Sequence, residues 1–274
     1  MPEADVLLEP FFLDSPRGPL FCLLVSPSSG KARKGVLYLH PFAEEMHKSR
    51  RMAALQARAL AAGGYSVLLL DLGGCGDSHG DFSDATWDGW LQDVELAHAW
   101  LANKINAPVL YWGLRAGALL AAQASQKSLS VDALVFWQPT ISGSTFLTQF
   151  LRIKLASEML SSGQTQTGTK QLRDQLKAGE SVEVGGYGLS PEMASGIESA
   201  KLDGITPTCP VFWFETGGES ENLASPASSR IVESWRTHGV QVATRAVLGE
   251  PFWLTQEITE CPALIDATKK ALCP

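Results

Sequence analysis

The 274-residue sequence predicts one α/β domain, residues 1–274, in which a mainly parallel sheet carries helices on both faces. Short apolar runs typical of buried strands alternate with longer segments whose apolar residues recur every three or four positions. This alternation favours parallel strands, because each helix returns the chain to the start of the next strand. Hydrophobic residues make up 45% of the chain and charged residues 19%, which suits a globular protein with a full core.

The N-terminal third predicts a hairpin followed by two buried strands. The runs VLLEPFFL and PLFCLLVS are joined by DSPRG, which is rich in turn-forming residues. GVLYLH, residues 35–40, predicts the third strand, and KSRRMAALQARALAAGG predicts a helix that stops at its two terminal glycines. YSVLLLDLGGCGDS predicts the fourth strand, which runs into a glycine-rich turn.

The alternation continues with a helix whose apolar face includes Trp87 and Trp90, and for which Asp84 is the expected N-cap. APVLYWG and DALVFWQP predict the fifth and sixth strands, with the helix RAGALLAAQAS between them. Residues 141–203 contain the polar stretch SSGQTQTGTK and no clear buried strand, so they predict an insertion, either a lid or a surface excursion. CPVFWFE and VQVATRAV predict the last strands, and a terminal helix should begin near Pro262.

Charge, cysteine content and hydropathy argue against several kinds of partner and location. The formal net charge of −7 gives no support for binding nucleic acid or an anionic membrane through the overall field. The five cysteines are widely spaced without a CxxC motif, so neither a disulfide framework nor a zinc site is expected. No apolar run approaches the ~18 residues of a membrane span, and the N-terminus is acidic where a signal peptide is basic. We therefore expect a cytoplasmic protein with no cofactor, no nucleic acid partner and no membrane span.

Three motifs resemble those of the α/β-hydrolase superfamily and occur in the same order. LHPF ends the third strand, where these enzymes carry an oxyanion-loop histidine. DLGGCGDSHGDF is similar to their turn after the next strand, and GLRAG lies at the strand-to-helix turn called the nucleophile elbow. The resemblance implies an α/β-hydrolase fold with an insertion after the sixth strand.

Three further segments, HPFAEEMHKSRRMAA, GDFSDATWDGW and GEPFW, resemble the exosortase A system-associated hydrolases, particularly the type 2 group. Such proteins are encoded beside bacterial machinery for exopolysaccharide and for sorting a class of exported proteins. The resemblance implies exopolysaccharide or exosortase machinery as a partner and does not specify a reaction.

The elbow has Arg115 where the superfamily places its serine nucleophile. A guanidinium stays protonated and has no lone pair for attack, so Arg115 cannot replace that serine. The backbone N–H groups that would bind an oxyanion remain available, and a carboxylate or phosphate would suit a cation beside them. The elbow and oxyanion region that the resemblance implies consists of Phe42, Ala43, Gly113, Arg115, Ala116 and Gly117.

The base and acid of a catalytic triad are also missing from their usual places. The loop after the last strand reads GEPFW, residues 249–253, and contains no histidine. After VFWFE the chain offers Glu215, Glu219 and Glu221 instead of the usual aspartate. Glu250 could form an ion pair with Arg115 that seals the site, or it could point to solvent.

Other residues could in principle carry chemistry or line a pocket. Ser78 and Cys75 lie in the glycine-rich turn, where a structural role is expected to outweigh a nucleophilic one. His40 is expected to organise the oxyanion loop in preference to acting as a base. His47 lies beside two glutamates, Glu44 and Glu45, but no second histidine falls at ligand spacing, so a metal site is not expected. At strand ends near the expected pocket, the candidate lining residues are Trp137, Trp253 and Glu250.

Three hypotheses of function follow. In the first, the protein is catalytically degenerate and binds a small anionic or acyl ligand, or a partner, at the former active site. In the second, it is a hydrolase of an ester, thioester or amide with a nucleophile outside the elbow. In the third, it is a scaffolding partner of the exopolysaccharide machinery. The first is favoured, because the elbow serine and the loop histidine are absent together.

Overall fold

The computed structural model describes residues 6–127, 130–162, 168–217 and 225–273, and within them the predicted sheet is present. Eight strands form one sheet in the order β1-β2-β4-β3-β5-β6-β9-β10. The predicted hairpin adds β1 and β2 at one edge in antiparallel fashion, and all the other neighbours from β4 to β10 pair in parallel. The strands are β1 (Val6–Leu13), β2 (Leu20–Pro27), β3 (Lys34–Leu39), β4 (Tyr65–Leu70), β5 (Val109–Leu114), β6 (Val131–Trp137), β7 (Val182–Val184), β8 (Tyr187–Leu189), β9 (Val211–Gly217) and β10 (Val242–Leu248).

Helices cover both faces of the sheet, as the sequence predicts. One face is covered by α1 and α8, which share a core with Val36, Trp112 and Trp137, and the remaining helices lie on the other face. The helices are α1 (Glu44–Ala62), α2 (Trp87–Ile105), α3 (Ala116–Ala124), α4 (Gly143–Ser162), α5 (Thr169–Lys177), α6 (Pro191–Ser199), α7 (Pro226–Thr237) and α8 (Pro262–Leu272). In the described part of the chain, no helix combines the length and hydropathy needed to cross a bilayer.

The start of α2 corrects one expectation. Asp84 is not its N-cap but ends a short 3₁₀ turn, Phe82–Asp84, in which it exchanges capping hydrogen bonds with Asp81. The cap of α2 is Thr86, whose hydroxyl accepts a hydrogen bond from the Gly89 amide at 3.0 Å. The threonine, two residues after Asp84, thus accepts from a free N–H group in the first turn of α2. Aspartate and threonine are both residue types that cap helices.

The segment 141–203 folds as three helices, α4 to α6, and also contains the short antiparallel hairpin of β7 and β8, which the sequence pattern did not reveal. Three residues between turn-forming glycines leave too little apolar alternation to predict a strand. Within the polar stretch SSGQTQTGTK, residues 163–167 lie outside the described residues.

The first half of α4 packs onto the loop that follows β3. Its Phe146 and Phe150 rings meet the ring of Phe42 edge-on, with centroids 5.6 and 5.1 Å apart, and both are buried. Phe42 also contacts Phe82 and Trp90, so one aromatic cluster joins the segment 141–203 to the main domain. This part of the insertion is therefore fixed by core packing.

Candidate functional site

The turn between β5 and α3 has the sharp geometry of an elbow, with Arg115 at its tip. Arg115 adopts φ 57° and ψ −118°, a conformation that residues other than glycine rarely adopt. Its amide donates to the Trp137 carbonyl at 3.0 Å, and its carbonyl accepts from the Thr140 and Ala118 amides at 3.1 Å each. Neighbouring backbone groups therefore hold the tip of the turn in place.

Gly113 and Gly117 are required by close backbone packing, whatever residue lies between them. A Cβ on Gly113 would lie 2.4 Å from Cα of Ala118, and one on Gly117 would lie 2.1 Å from the Leu39 carbonyl oxygen. The second of these contacts also presses the start of α3 against the loop after β3, because the His40 carbonyl would be only 2.6 Å from the same Cβ. The elbow and the oxyanion loop are thus adjacent.

The guanidinium of Arg115 is paired with Glu45, in the first turn of α1. Nε and Nη2 of Arg115 both lie 3.4 Å from Oε1 of Glu45, and the two side chains are only 18% and 15% exposed. On another side, the guanidinium carbon lies 5.6 Å from the ring centroid of Trp253, which is buried. A cation between a carboxylate and an indole ring is stabilised by both.

Of the two alternatives for Glu250, an ion pair with Arg115 or exposure to solvent, the structure has the second. Glu250 is exposed, and its carbonyl accepts a hydrogen bond from the Phe252 amide in a tight turn. The Phe252 and Trp253 side chains that follow this turn are buried in the core. Of the loop's two candidate lining residues, Trp253 thus contacts Arg115 and Glu250 does not.

Glu45 has an incomplete set of partners. Its Oε2 is buried and makes no hydrogen bond with the described residues. Burial raises the pKa of the Glu45 carboxyl, and the nearby charges of Arg115 and, to a smaller extent, Lys48 act in the opposite direction. The buried Nε1 of Trp253 and Oγ1 of Thr140 likewise have no partner in the described part of the chain. Three residues that contact Arg115, namely Glu45, Thr140 and Trp253, thus each have a buried polar atom without a partner in the described part of the chain.

Sequence reasoning missed Glu45 as the partner of Arg115, although a signal was present. Because β3 and β5 are neighbouring parallel strands, the residues that follow each of them meet at the same edge of the sheet. The carboxylates Glu44 and Glu45 come shortly after β3, and Arg115 comes directly after β5. Knowing that β3 and β5 are neighbours would have placed Arg115 beside these glutamates. The order of strands in the sheet cannot be derived from the local patterns of one sequence.

Phe42, Ala43 and Ala116 lie where the resemblance places the oxyanion N–H groups. Ala116 is the first residue of α3, so its N–H belongs to the free donors of a helix N-terminus. Ala43 enters α1 with a positive φ of 50°, and Phe42 is held by the aromatic cluster described above. The sharp bend at Ala43 directs α1, and with it Glu45, toward the elbow.

His40 is tied into the backbone. The Leu72 amide donates to its Nε2 at 3.3 Å, and its Nδ1 lies 2.8 Å from the Pro41 carbonyl, so the proton is on Nδ1. Burial lowers the pKa of the imidazole, which keeps the ring neutral. With both ring nitrogens engaged, His40 links the ends of β3 and β4, as an organiser of the loop would.

Ser78 and Cys75 make contacts that suit structural roles. The Ser78 hydroxyl donates to the Asp71 carbonyl at 2.5 Å and accepts from the Phe21 amide at 2.8 Å. Cys75 is buried, and burial raises the pKa of its thiol far above the usual range, so the nucleophilic thiolate is disfavoured. These contacts leave no activated nucleophile in the turn.

Trp137 and one of the acid candidates, Glu215, are buried in the core. The Trp137 ring is 1% exposed in the core on the α1–α8 face, and its Nε1 donates to the Thr268 hydroxyl at 2.9 Å, so it does not line a pocket. Glu215 is buried and accepts from Nε1 of Trp213 at 3.2 Å. Glu219 and Glu221 lie outside the described residues.

Cavities and metal-binding clusters do not coincide with the elbow. A cavity of about 740 Å³ lies between α5, α6 and the start of α2, and Arg115 does not line it. Among the residues that the structure describes, no group of three or more His, Cys, Asp or Glu side chains could hold a metal ion.

The family model described as "Serine aminopeptidase, S33" matches residues 30–179, which contain the elbow, the oxyanion loop and Glu45. The human protein ABHD12B is 32% identical over 109 residues, a segment that spans 38% of this chain and 29% of that protein.

Solved structures with the same fold cover nearly the whole chain at low identity. Est1E from Butyrivibrio proteoclasticus, solved with ferulic acid bound, has a TM-score of 0.67 and 17% identity, covering 96% of this chain and 97% of its own. A carboxyl esterase from Bacillus coagulans has a TM-score of 0.66 and 12% identity, with 97% and 96% covered. A soluble variant of monoglyceride lipase from Saccharomyces cerevisiae has a TM-score of 0.64 and 13% identity, with 99% and 97% covered. These likenesses show the α/β-hydrolase fold.

Proposed function

The chain belongs to the α/β-hydrolase family described as serine aminopeptidase, S33, and on that premise we propose that it is a catalytically degenerate member that binds a small anion at the former active site. The observation that carries the proposal is Arg115 at the tip of the elbow, held by the backbone and largely buried. A guanidinium cannot attack a carbonyl, and a cation at this point favours a negatively charged group.

Two features support an anion as the ligand class. Arg115 has five N–H donors, and Glu45 receives two of them, both on a single oxygen and both at 3.4 Å, which is long for a charge-assisted hydrogen bond. The N-terminus of α3 adds the N–H of Ala116 and the positive end of the helix dipole. A carboxylate or phosphate at this place would meet donors from both a side chain and the backbone.

Scaffolding is the second candidate, and the Arg115–Glu45 pair favours it. Glu45 already neutralises the charge of Arg115, which weakens the attraction for an external anion. Trp253 also covers one side of the guanidinium. Hydrolysis by a nucleophile outside the elbow has weaker support, because the contacts of Ser78 and Cys75 are structural.

The biological setting that we propose is the bacterial exosortase and exopolysaccharide machinery, with the protein in the cytoplasm. The support is the resemblance of HPFAEEMHKSRRMAA, GDFSDATWDGW and GEPFW to the hydrolases associated with that system. The first of these segments contains Glu45, and the last contains Trp253, so two of them contribute to the elbow site.

Covalent labelling tests the loss of catalysis. A fluorophosphonate probe should form no stoichiometric adduct with the folded protein, as read by mass spectrometry, because no serine occupies the elbow. The variant Arg115→Ser should also hydrolyse p-nitrophenyl acetate poorly, since the loop 249–253 contains no histidine to act as a base. A full adduct on Ser78, or on any other serine, would replace the proposal with the hydrolase hypothesis.

Ligand binding is tested by thermal melting with and without phosphate, acetate or methanesulfonate at matched ionic strength. A ligand that binds only the folded state raises the melting temperature with its concentration. We expect such a shift for the wild type and none for Arg115→Met. Equal melting temperatures for the wild type under all conditions would favour the scaffolding function.

A further inference from the structure

The strongest unassigned feature of the molecule is the largely buried Glu45 carboxylate that pairs with the cation at the elbow. Glu45 is 15% exposed, and Arg115 donates two hydrogen bonds to its Oε1. Its second oxygen is buried without a partner in the described residues. The carboxylate is thus held by the same guanidinium that an external anion would need.

We propose that Glu45 is a built-in competitor for the anion site, so that each monoanion that binds Arg115 displaces the Glu45 carboxylate and is taken up together with one proton. The inference rests on the proposed function and specifies how that site is regulated. The balanced step begins with the Arg115 cation, the Glu45 carboxylate, a free anion and a free proton. It ends with the Arg115 cation paired to the bound anion and with Glu45 as a neutral carboxylic acid.

The geometry of the pair favours such an exchange. A bidentate arginine–carboxylate pair has two parallel hydrogen bonds of about 2.7–2.9 Å, one to each oxygen. The Arg115–Glu45 contact has two bonds of 3.4 Å to a single oxygen. Because α1 fixes the backbone of Glu45, and β5 and α3 fix that of Arg115, the two side chains must meet from fixed points. A free carboxylate or sulfonate has no such constraint.

Proton uptake follows from the surroundings of Glu45. Burial already favours its neutral form, and the opposing charges are Arg115 from the elbow and Lys48 from the next turn of α1. Glu44, the neighbouring residue, is exposed and accepts from the Tyr187 hydroxyl of β8 at 3.2 Å. When an anion takes over Arg115, the largest favourable charge on the Glu45 carboxylate is cancelled. A buried carboxylate without a counterion is costly, and it becomes protonated instead.

Coupled proton uptake makes the anion affinity depend on pH in one direction. If one proton enters with each anion, the affinity should rise by up to about tenfold for each unit by which the pH falls, over the range in which Glu45 is ionised in the free protein. The gain stops where Glu45 is already protonated without ligand, because no further proton is then taken up.

Calorimetry with a non-titrating anion tests the inference. Methanesulfonate is titrated into the protein at one pH in two cationic buffers, bis-Tris and imidazole, which differ in their heats of ionisation. The difference between the two binding enthalpies counts the protons taken up. We expect close to one proton for the wild type and none for Glu45→Gln, which should bind more tightly and with an affinity independent of pH. Glu44→Gln is the matched control, and it should behave like the wild type.

Each outcome separates the inference from the function on which it rests. Wild-type binding that Arg115→Met abolishes, without proton uptake and without a gain in Glu45→Gln, would overturn the inference and leave anion binding intact. No binding by the wild type together with binding by Glu45→Gln would support Glu45 as a competitor. No binding by either protein would overturn both. Thermal melts of each variant establish that it is folded, and the two-buffer titration of the wild type needs no variant.

Discussion

The glycine-rich turn after β4 and the elbow after β5 both contain residues suggestive of catalysis, yet they differ in how a hydroxyl and a carboxylate of the turn and the carboxylate of the elbow are hydrogen-bonded. In the turn, the Ser78 hydroxyl makes two hydrogen bonds with the backbone, and the Asp71 carboxylate accepts from Arg50 and from the Asp77 amide. At the elbow, Arg115 and Glu45 make two long bonds, and Glu45 Oε2 has no partner among the described residues.

The difference shows that residue type alone does not separate a reactive side chain from a structural one. Ser78 and Cys75 are nucleophiles by chemistry, but their hydrogen bonds and burial make them part of the scaffold. Arg115 is no nucleophile, but it lies at a strained tip beside a carboxylate whose second oxygen has no partner among the described residues. Buried polar atoms without partners are rare in folded proteins, and the described residues hold others away from the elbow, among them Nε2 of His79 in the turn.

The largest expected loss of stability follows from a substitution in the elbow backbone, which is packed closely against its neighbours. Gly117→Ala places a Cβ 2.1 Å from the Leu39 carbonyl oxygen, and both groups belong to backbone that cannot move easily. We expect a loss of about 3 kcal/mol or more in the free energy of unfolding, measured by urea denaturation. Gly168→Ala, where a Cβ meets nothing within 4 Å, should change it by less than about 1 kcal/mol. An unfolding free energy of Gly117→Ala equal to that of the wild type would contradict the packing role of Gly117.

A smaller loss should follow from breaking the pair at the tip. Arg115→Met leaves Glu45 buried and unpaired, which costs about 3–5 kcal/mol for a fully buried pair and should cost about 2 kcal/mol here, because both side chains are partly exposed. The double variant with Glu45→Leu should recover most of the loss. A second double variant, Arg115→Met with Glu250→Leu, is the control and should recover none, since Glu250 is exposed. Recovery in the control would restore the pairing that the sequence suggested.

The smallest loss of stability is expected for a substitution in the glycine-rich turn, Ser78→Ala. Ser78→Ala removes the acceptor of the Phe21 amide and should cost about 1 kcal/mol of stability, read from thermal or urea melts. The exposed neighbour Ser83 serves as control, and Ser83→Ala should stay within about 0.5 kcal/mol of the wild type. Neither substitution should alter methanesulfonate binding. A loss of binding in Ser78→Ala would show that the two regions are not independent.

Much of the fold could be predicted from the sequence, because buried parallel strands and amphipathic helices leave strong local patterns. The runs GVLYLH, YSVLLL and APVLYWG became β3, β4 and β5, and the terminal helix begins at Pro262 as expected. The short strands β7 and β8 were missed, since three residues carry too little pattern. The cap of α2 was misplaced by two residues, because Asp84 and Thr86 are equally good caps and only the backbone decides between them.

The site was predictable only in part, for a different physical reason. Arg115 and its glycine frame belong to one local motif and were identified from five consecutive residues. Its partner is 70 residues away, and the choice between Glu45 and Glu250 depends on the order of strands and on a bend at Ala43. Local sequence patterns carry no information on such a pairing.

The aromatic cluster around Phe42 has a consequence for how the protein is made. Phe42 leaves the ribosome early, but Phe146 and Phe150, which cover it, are encoded about 100 residues later. At about 5–20 residues per second, that separation corresponds to roughly 5–20 s of translation. During this interval the ring has no cover from α4, so a nascent chain stalled before residue 146 would present it to chaperones. The loop beside the elbow thus acquires its final packing only after about half of the chain has been made.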